Sequence, residues 1–305
     1  MKKIFITGCL FLMPLLLPAA GGVGCDYLRV APPARTAAMS RAFAGVADDL
    51  SAIIYNPAGL INIKNLSLSF THFTSFADTN YEYAAFALPL GGKIGTIGGS
   101  MLCDYTFDFD YYNEFGEKEG EVDNYDFVGT ISYSYPLAGG IAAGVNFKVF
   151  YSKLYKYDKM GFALDMGAFF KLGKEPDTFA GLVIQNIGKQ AAYIEIEDPL
   201  PINVKAGLGF SFDITEMGKL LVAADVNRLI KEGEELPTLD IGAEFVFFES
   251  LCIRGGYGFR HDTAGMSMGL GLNLKTVTFS YSYQPFDVLG AAHRISLDIE
   301  LNDKK

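Results

Sequence analysis

The chain has 305 residues, half of them hydrophobic, a formal net charge of −10, and 25 Phe and 17 Tyr beside no Trp. The negative charge argues against nucleic acid as a partner, and a chain this apolar must either build a large core or face lipid with alternating strands. Four cysteines and three histidines, scattered singly, offer neither a disulfide framework nor metal-type spacing, so no cofactor and no metal are expected.

Residues 1–24 read as an export signal. Lys2 and Lys3 precede an almost unbroken apolar stretch over 4–17, and small residues over 19–24 offer a cut site. Cys25 stands where a lipoprotein signal would end, but Gly22, Val23 and Gly24 lack the leucine usual there. The apolar stretch is short for a membrane helix, and no later run reaches the roughly 18 residues that one needs.

Residues 25–65 follow a different pattern. Small, weakly helical sequence runs through Arg35, Arg41 and Phe43 to Asp48 and Asp49, and the segment closes on Asn56, Pro57 and Ala58, where proline restricts the preceding residue and asparagine favours a fixed turn. From residue 66 onward, period-two segments follow one another with turn residues between them. Alternation of this kind predicts strands near 66–74, 81–90, 93–107, 124–135, 141–154, 160–172, 178–186, 202–212, 219–228, 237–248, 251–260, 265–274, 275–283 and 292–301. About fourteen is an even number, as a single-chain bacterial barrel requires.

In the last predicted strand Ile295, Leu297, Ile299 and Leu301 alternate with Arg294, Ser296, Asp298 and Glu300, one face greasy and the other polar. Short and long connections are expected to alternate along the chain, with the longest over 108–123, 187–201, 229–236 and 284–291. A water-soluble sandwich would share the alternation. Its solvent face would carry more Lys and Glu, whereas the polar faces here are rich in Gly and Ser, as in a crowded lumen.

The run from Arg35 to Asp49, together with Ala52, Tyr55 and Asn56-Pro57-Ala58-Gly59-Leu60, resembles the N-terminal signature of FadL-type outer-membrane proteins, a superfamily that includes long-chain fatty acid transporters and the smaller PorV/PorQ group. Gln185-Asn186-Ile187-Gly188 leading to Asp198-Pro199-Leu200-Pro201, and His293-Arg294-Ile295-Ser296-Leu297, look like later parts of that family. The resemblance implies an all-β, transmembrane antiparallel β-barrel of about 14 strands with an N-terminal hatch in its lumen: signal peptide 1–24, hatch 25–65, barrel 66–305. The chain is much shorter than a full fatty acid transporter and lacks the terminal aromatic common in such barrels.

A plug in a polar lumen needs its charges paired. Arg35, Arg41, Asp48 and Asp49 are therefore expected to meet inward residues such as Asp126, Lys148, Asp165, Lys205, Asp240, Glu244 and Arg254. In the third strand Gly95, Gly98 and Gly99 suggest a lateral gap, since glycine inside a strand marks a bulge or a close backbone approach.

Three function classes remain. One is an outer-membrane channel for hydrophobic compounds such as long-chain fatty acids, with membrane lipids as surroundings. Another is a non-transporting scaffold or secretion accessory of the PorV/PorQ type, with a secretion-system partner; the aromatic stretch over 104–112 could serve it. An enzyme is not expected, because no Ser-His-Asp order or phosphate loop is present and nothing selects His72 or His293 as catalytic. The expected location is the cell outer membrane of a Gram-negative-type or spirochaete envelope.

Overall fold

The computed structural model describes residues 24–75, 79–91, 93–113, 115–190, 199–214, 218–230, 236–261, 265–286 and 290–301. The expected signal lies outside these residues except for Gly24. Fourteen strands form a closed antiparallel barrel in which every strand pairs with its neighbours in sequence and β1 closes on β14. They are β1 (Leu66–Thr74), β2 (Asn80–Pro89), β3 (Thr96–Tyr112), β4 (Lys118–Pro136), β5 (Ile141–Leu154), β6 (Tyr157–Lys174) and β7 (Asp177–Gln190), followed by β8 (Asn203–Asp213), β9 (Gly218–Leu229), β10 (Thr238–Phe247), β11 (Leu251–Phe259), β12 (Met266–Leu274), β13 (Val277–Pro285) and β14 (Ala291–Leu301). Closure satisfies every ladder and removes the edge that lipid could not solvate. Among the described residues no helix is long and apolar enough to cross a membrane.

Period-two alternation sets the two faces. On the outside Ile131, Met160, Leu270 and Ile295 are more than half exposed, an apolar band suited to lipid. Inside, Ser132, Asn146, Asp165, Asp225, Ser282 and Ser296 are buried.

Two expectations change. The stretch over 108–123 is not a long loop, because β3 runs on to Tyr112 and β4 begins at Lys118, leaving 113–117 as the turn. Alternation weakens there because the ladder shifts register between Thr106 and Phe109, and such a bulge breaks the period that a sequence reading follows. Strand β3 also begins later than expected, at Thr96. Gly95 belongs to the preceding turn, with φ of 103°, a conformation that glycine adopts without strain.

The connections sort into two ends. One end carries the turns leading into β3, β5, β7, β9, β11 and β13, and the chain enters β1 there. The other, here the loop end, carries 113–117, 155–156 and the longer connections before β8 and β10.

Candidate functional site

Residues 24–65 lie within the barrel. They hold a helical turn at Asp26–Arg29, α1 (Ala34–Ala38), α2 (Ala52–Tyr55) and a 3-10 turn at Pro57–Asn62. Helices this short are marginal by themselves, so tertiary contacts must hold the segment. Its backbone approaches the wall closely. A Cβ added at Gly144, Gly167, Gly181, Gly207, Gly242 or Gly256 would collide with residues 39–58, so the glycine-rich polar phase of β5 to β11 is the surface on which the segment lies.

Wall side chains satisfy the segment's exposed peptide groups, as buried backbone demands. Asp225 Oδ2 accepts from Phe43 N at 2.8 Å and Ala44 N at 2.7 Å. Asn146 Nδ2 donates to Ile53 O at 2.7 Å, Gln185 Nε2 to Ile54 O at 2.7 Å and Ser134 Oγ to Ala58 O at 2.8 Å. Ser267 and Ser296 accept from Ser40 N and Ala34 N, both at 2.9 Å.

The motif residues act from the segment's side. Asn56 Nδ2 donates both to Ala44 O at 2.9 Å and to Ala168 O on β6 at 3.0 Å, while its Oδ1 accepts from Ala58 N. Pro57 opens the 3-10 turn, where the missing N–H costs nothing. Phe43 packs edge-on against Tyr55 with centroids 5.6 Å apart, both fully buried.

Towards the turn end, Arg35 gathers three carboxylates: Asp48 at 2.6 Å, Asp49 at 2.7 Å and Glu244 at 2.8 Å. Arg254 pairs with the same Glu244 at 2.5 Å and donates to Ser280 Oγ at 3.0 Å. Burial would lower the Arg35 pKa, but Asp48, Glu244 and Asp49 overcome it and hold the guanidinium well above its ordinary value. This cluster borders a cavity of about 320 Å³ near the turns.

Of the pairings expected from sequence, Arg35 meets Glu244 as anticipated. Arg41 instead reaches His261, its Nη2 lying 2.9 Å from Nδ1, and His261 Nε2 contacts Asp240 at 2.6 Å. His261, just past β11, thus links the inner segment to β10. Lys148 pairs with Asp165 on the neighbouring strand at 2.8 Å, wall to wall. Lys205 lies over the Tyr55 ring, 4.9 Å from its centroid. Asp225, Asn146 and Gln185, which hold the segment's backbone, were missed as anchors; for Asp225 a lone acid within the apolar run Leu220 to Val226 was the available signal, since buried carboxylates need partners.

Gly98 and Gly99 pair without interruption on both sides, with Ala87 and Phe86 of β2 and with Ser132 and Ile131 of β4. Space added at Gly98 would press on Leu60 and Ile53 of the inner segment, and at Gly99 on the outward Phe86 ring.

Above the segment, a cavity of about 1210 Å³ lies towards the loop end. Arg41, Lys205, Asp240, His261 and Arg294 line it together with Asp104 and Asp126, beside apolar Leu28, Val30, Ile54, Phe73, Leu229 and Phe286. Among the described residues no group of histidine, cysteine and acidic side chains could hold a metal ion, and Cys25, Cys103 and Cys252 are free.

Residues 25–161 match the model of an uncharacterised protein family (UPF0164), a span that covers the inner segment and the wall as far as the start of β6. No curated protein matches the chain. Among solved structures, the toluene transporter TbuX of Ralstonia pickettii is 13% identical, with 88% of this chain and 98% of that one covered at a TM-score of 0.63. The toluene transporter TodX of Pseudomonas putida is 12% identical, covering 86% and 95%, at 0.55. A FadL homologue of Pseudomonas aeruginosa is 9% identical, covering 89% and 98%, at 0.53. At these identities the likeness is one of fold: the chain has the fourteen-strand barrel fold of the FadL-type outer-membrane channels.

Proposed function

We propose that the protein is an outer-membrane channel that takes up hydrophobic compounds with a polar end, such as long-chain fatty acids. The observation that carries the reading is the cavity of about 1210 Å³ at the loop end, where charged groups and apolar side chains of the wall and the inner segment meet. It is larger than most small-molecule pockets, which run to about 1,000 Å³. The solved barrels of the same fold include transporters of toluene, which agrees with an apolar cargo.

A ligand in that cavity has two ways on. It can leave sideways past β3, where Gly98 and Gly99 present no side chains but where the ladders must part, or it can pass downward if the inner segment shifts. Uptake of a labelled long-chain fatty acid by cells making the full chain tests the reading. Uptake above the level of empty cells is expected; uptake at that level, with folded barrel in the outer membrane, overturns it. A disulfide joining Ser40→Cys to Ser267→Cys decides the route, because it fixes the segment to β12 where Ser40 N already bonds Ser267 Oγ. Loss of uptake that reductant restores supports the downward path, and unchanged uptake supports the sideways one.

A scaffold reading draws on one feature, the long β3–β4 hairpin whose turn carries Phe115, 87% exposed. Fatty acid uptake that survives deletion of residues 110–120 would separate that hairpin from transport.

A further inference from the structure

His261 stands between the inner segment and the wall, and the chain around it is shaped to put it there. Arg260 has a φ of 62°, a left-handed turn just past the end of β11. The next ring folds back against Gly258, where an added Cβ would come within 2.6 Å of His261 Cδ2 and 3.0 Å of Asp240 Oδ1. Glycine at this point leaves the space that ring and carboxylate share. Asp240, the partner of Gly258 across the β10–β11 ladder, also accepts from Asn227 Nδ2 at 2.7 Å, which fixes the carboxylate.

On the other side of the ring lies a strained turn of the segment. Ser40 and Arg41 have φ of 52° and 69°, two successive residues in the left-handed region, which side chains beyond glycine occupy only when their surroundings hold them. Ser267 Oγ accepts from Ser40 N at 2.9 Å and donates to Ala38 O at 3.0 Å, and the backbone of Met39 and Ser40 rests on Gly242 and Gly256. Arg41 adds a side-chain hold. Its Nη2 lies 2.9 Å from His261 Nδ1 and 3.4 Å from Nε2, while Nε2 lies 2.6 Å from Asp240 Oδ1. A neutral ring attracts both neighbours, the carboxylate through its N–H and the guanidinium through its bare nitrogen and its face. A protonated ring keeps the first contact and repels the second.

We propose that His261 is a pH-sensitive latch on the Ser40–Arg41 turn, holding Arg41 to β10 at neutral pH and releasing it in acid. Histidine is the side chain suited to such a change near physiological pH. The sign follows from the contacts: a proton on the ring repels Arg41 and tightens the hold of Asp240, so acid favours the released turn and neutral pH the latched one. Among the described residues the ring faces Arg41 from the segment and Asp240 from β10, with Arg260 beside it in the chain. Lys205 of β8 interacts with both Asp240 and Arg41, Asp225 of β9 with Asp240, and Arg294 of β14 with Arg41. Strain in the turn works towards release once the latch lets go. Arg41 and His261 both line the large cavity, so release changes the charge and the shape of its floor together. The latch regulates the cavity of the channel reading and rests on that reading only for its effect on transport.

Hydrogen exchange in the folded full barrel reads the turn directly, because the amides of Ser40, Arg41 and Ala42 bond Ser267 Oγ, Thr36 O and Met39 O. Their protection, each rate taken relative to the unfolded chain at the same pH, is expected to fall at least about tenfold between about pH 7.5 and about pH 5.5. His261→Gln keeps a donor and an acceptor without taking up a proton, so its protection should stay high at both pH values. Arg41→Ala should show the low protection at both. If His261→Gln does not fold, His261→Asn carries that arm. Wild-type protection that is equal at the two pH values overturns the proposal, and so does a fall of the same size in the His261 variant, which would place the titrating group elsewhere. Fatty acid uptake with pH-independent protection defeats the latch and leaves the channel reading standing; pH-dependent protection without uptake does the opposite.

Discussion

The lower and upper lumen of this barrel are built from the same alternating strands and hold their central arginines, Arg35 and Arg294, in different ways. Below, Arg35 is shared among Asp48, Asp49 and Glu244, and Glu244 also holds Arg254, so each ion has a close partner of opposite sign. Above, Arg294 stacks on an aromatic ring with two nitrogens unpartnered, and Asp104 and Asp126 face one another across neighbouring strands. The difference teaches where structure ends and function begins in a plugged lumen. Shared ion pairs fasten the inner segment below, whereas above Arg294 is held by stacking on the Phe73 ring.

Arg35→Ala breaks that contrast most severely, because it takes the shared cation from Asp48 and Asp49 and leaves the deeply buried Glu244 with Arg254 alone. A loss of about 3 to 5 kcal/mol is expected in denaturant unfolding of the reconstituted barrel. Proteolysis should then reach residues 24–65, which the wild type protects; an unaltered midpoint would mean that the cluster fastens nothing. Asp225→Ala comes next. It removes the acceptor for Phe43 N and Ala44 N, so roughly 2 to 3 kcal/mol should be lost on the same unfolding curve.

A smaller effect sharpens the claim that the lower charges act as a unit. Combining Arg35→Ala with Glu244→Gln should cost less than the sum of the two single changes by about 1 to 2 kcal/mol, and strict additivity would separate the partners. The smallest effect belongs to the upper wall. Arg294→Gln removes a buried charge that has no ionic partner among the described residues, so stability should change by less than about 1 kcal/mol or improve. A loss as large as that of Arg35→Ala would show that the two ends of the lumen work alike.

Much of this was legible in the sequence, and the residues say why. Leu270 and Ile295 announce the outer face because a strand side chain has only two directions, and any lipid-facing strand must alternate. Arg35 and Glu244 stood among the candidates for pairing because a charge inside a barrel needs a partner, but the sequence does not say which of them meet. The β3–β4 hairpin was misjudged because a bulge near Thr106 shifts the period, and Gly95 was placed in a strand because glycine signals bend and strand interior alike. Asp225 was overlooked because the apolar run around it marks a buried acid without telling which distant peptide it caps.

The sequence by itself determined the strands, their succession and their two faces, since hydrophobic periodicity and turn residues are local properties. Which inward residues meet was decided by tertiary structure alone. Arg294 and Asp126 are far apart in the chain and come to one row only because β1 closes on β14 and each ladder fixes the register of the next. Closure is a property of all fourteen strands at once, so no window of sequence contains it.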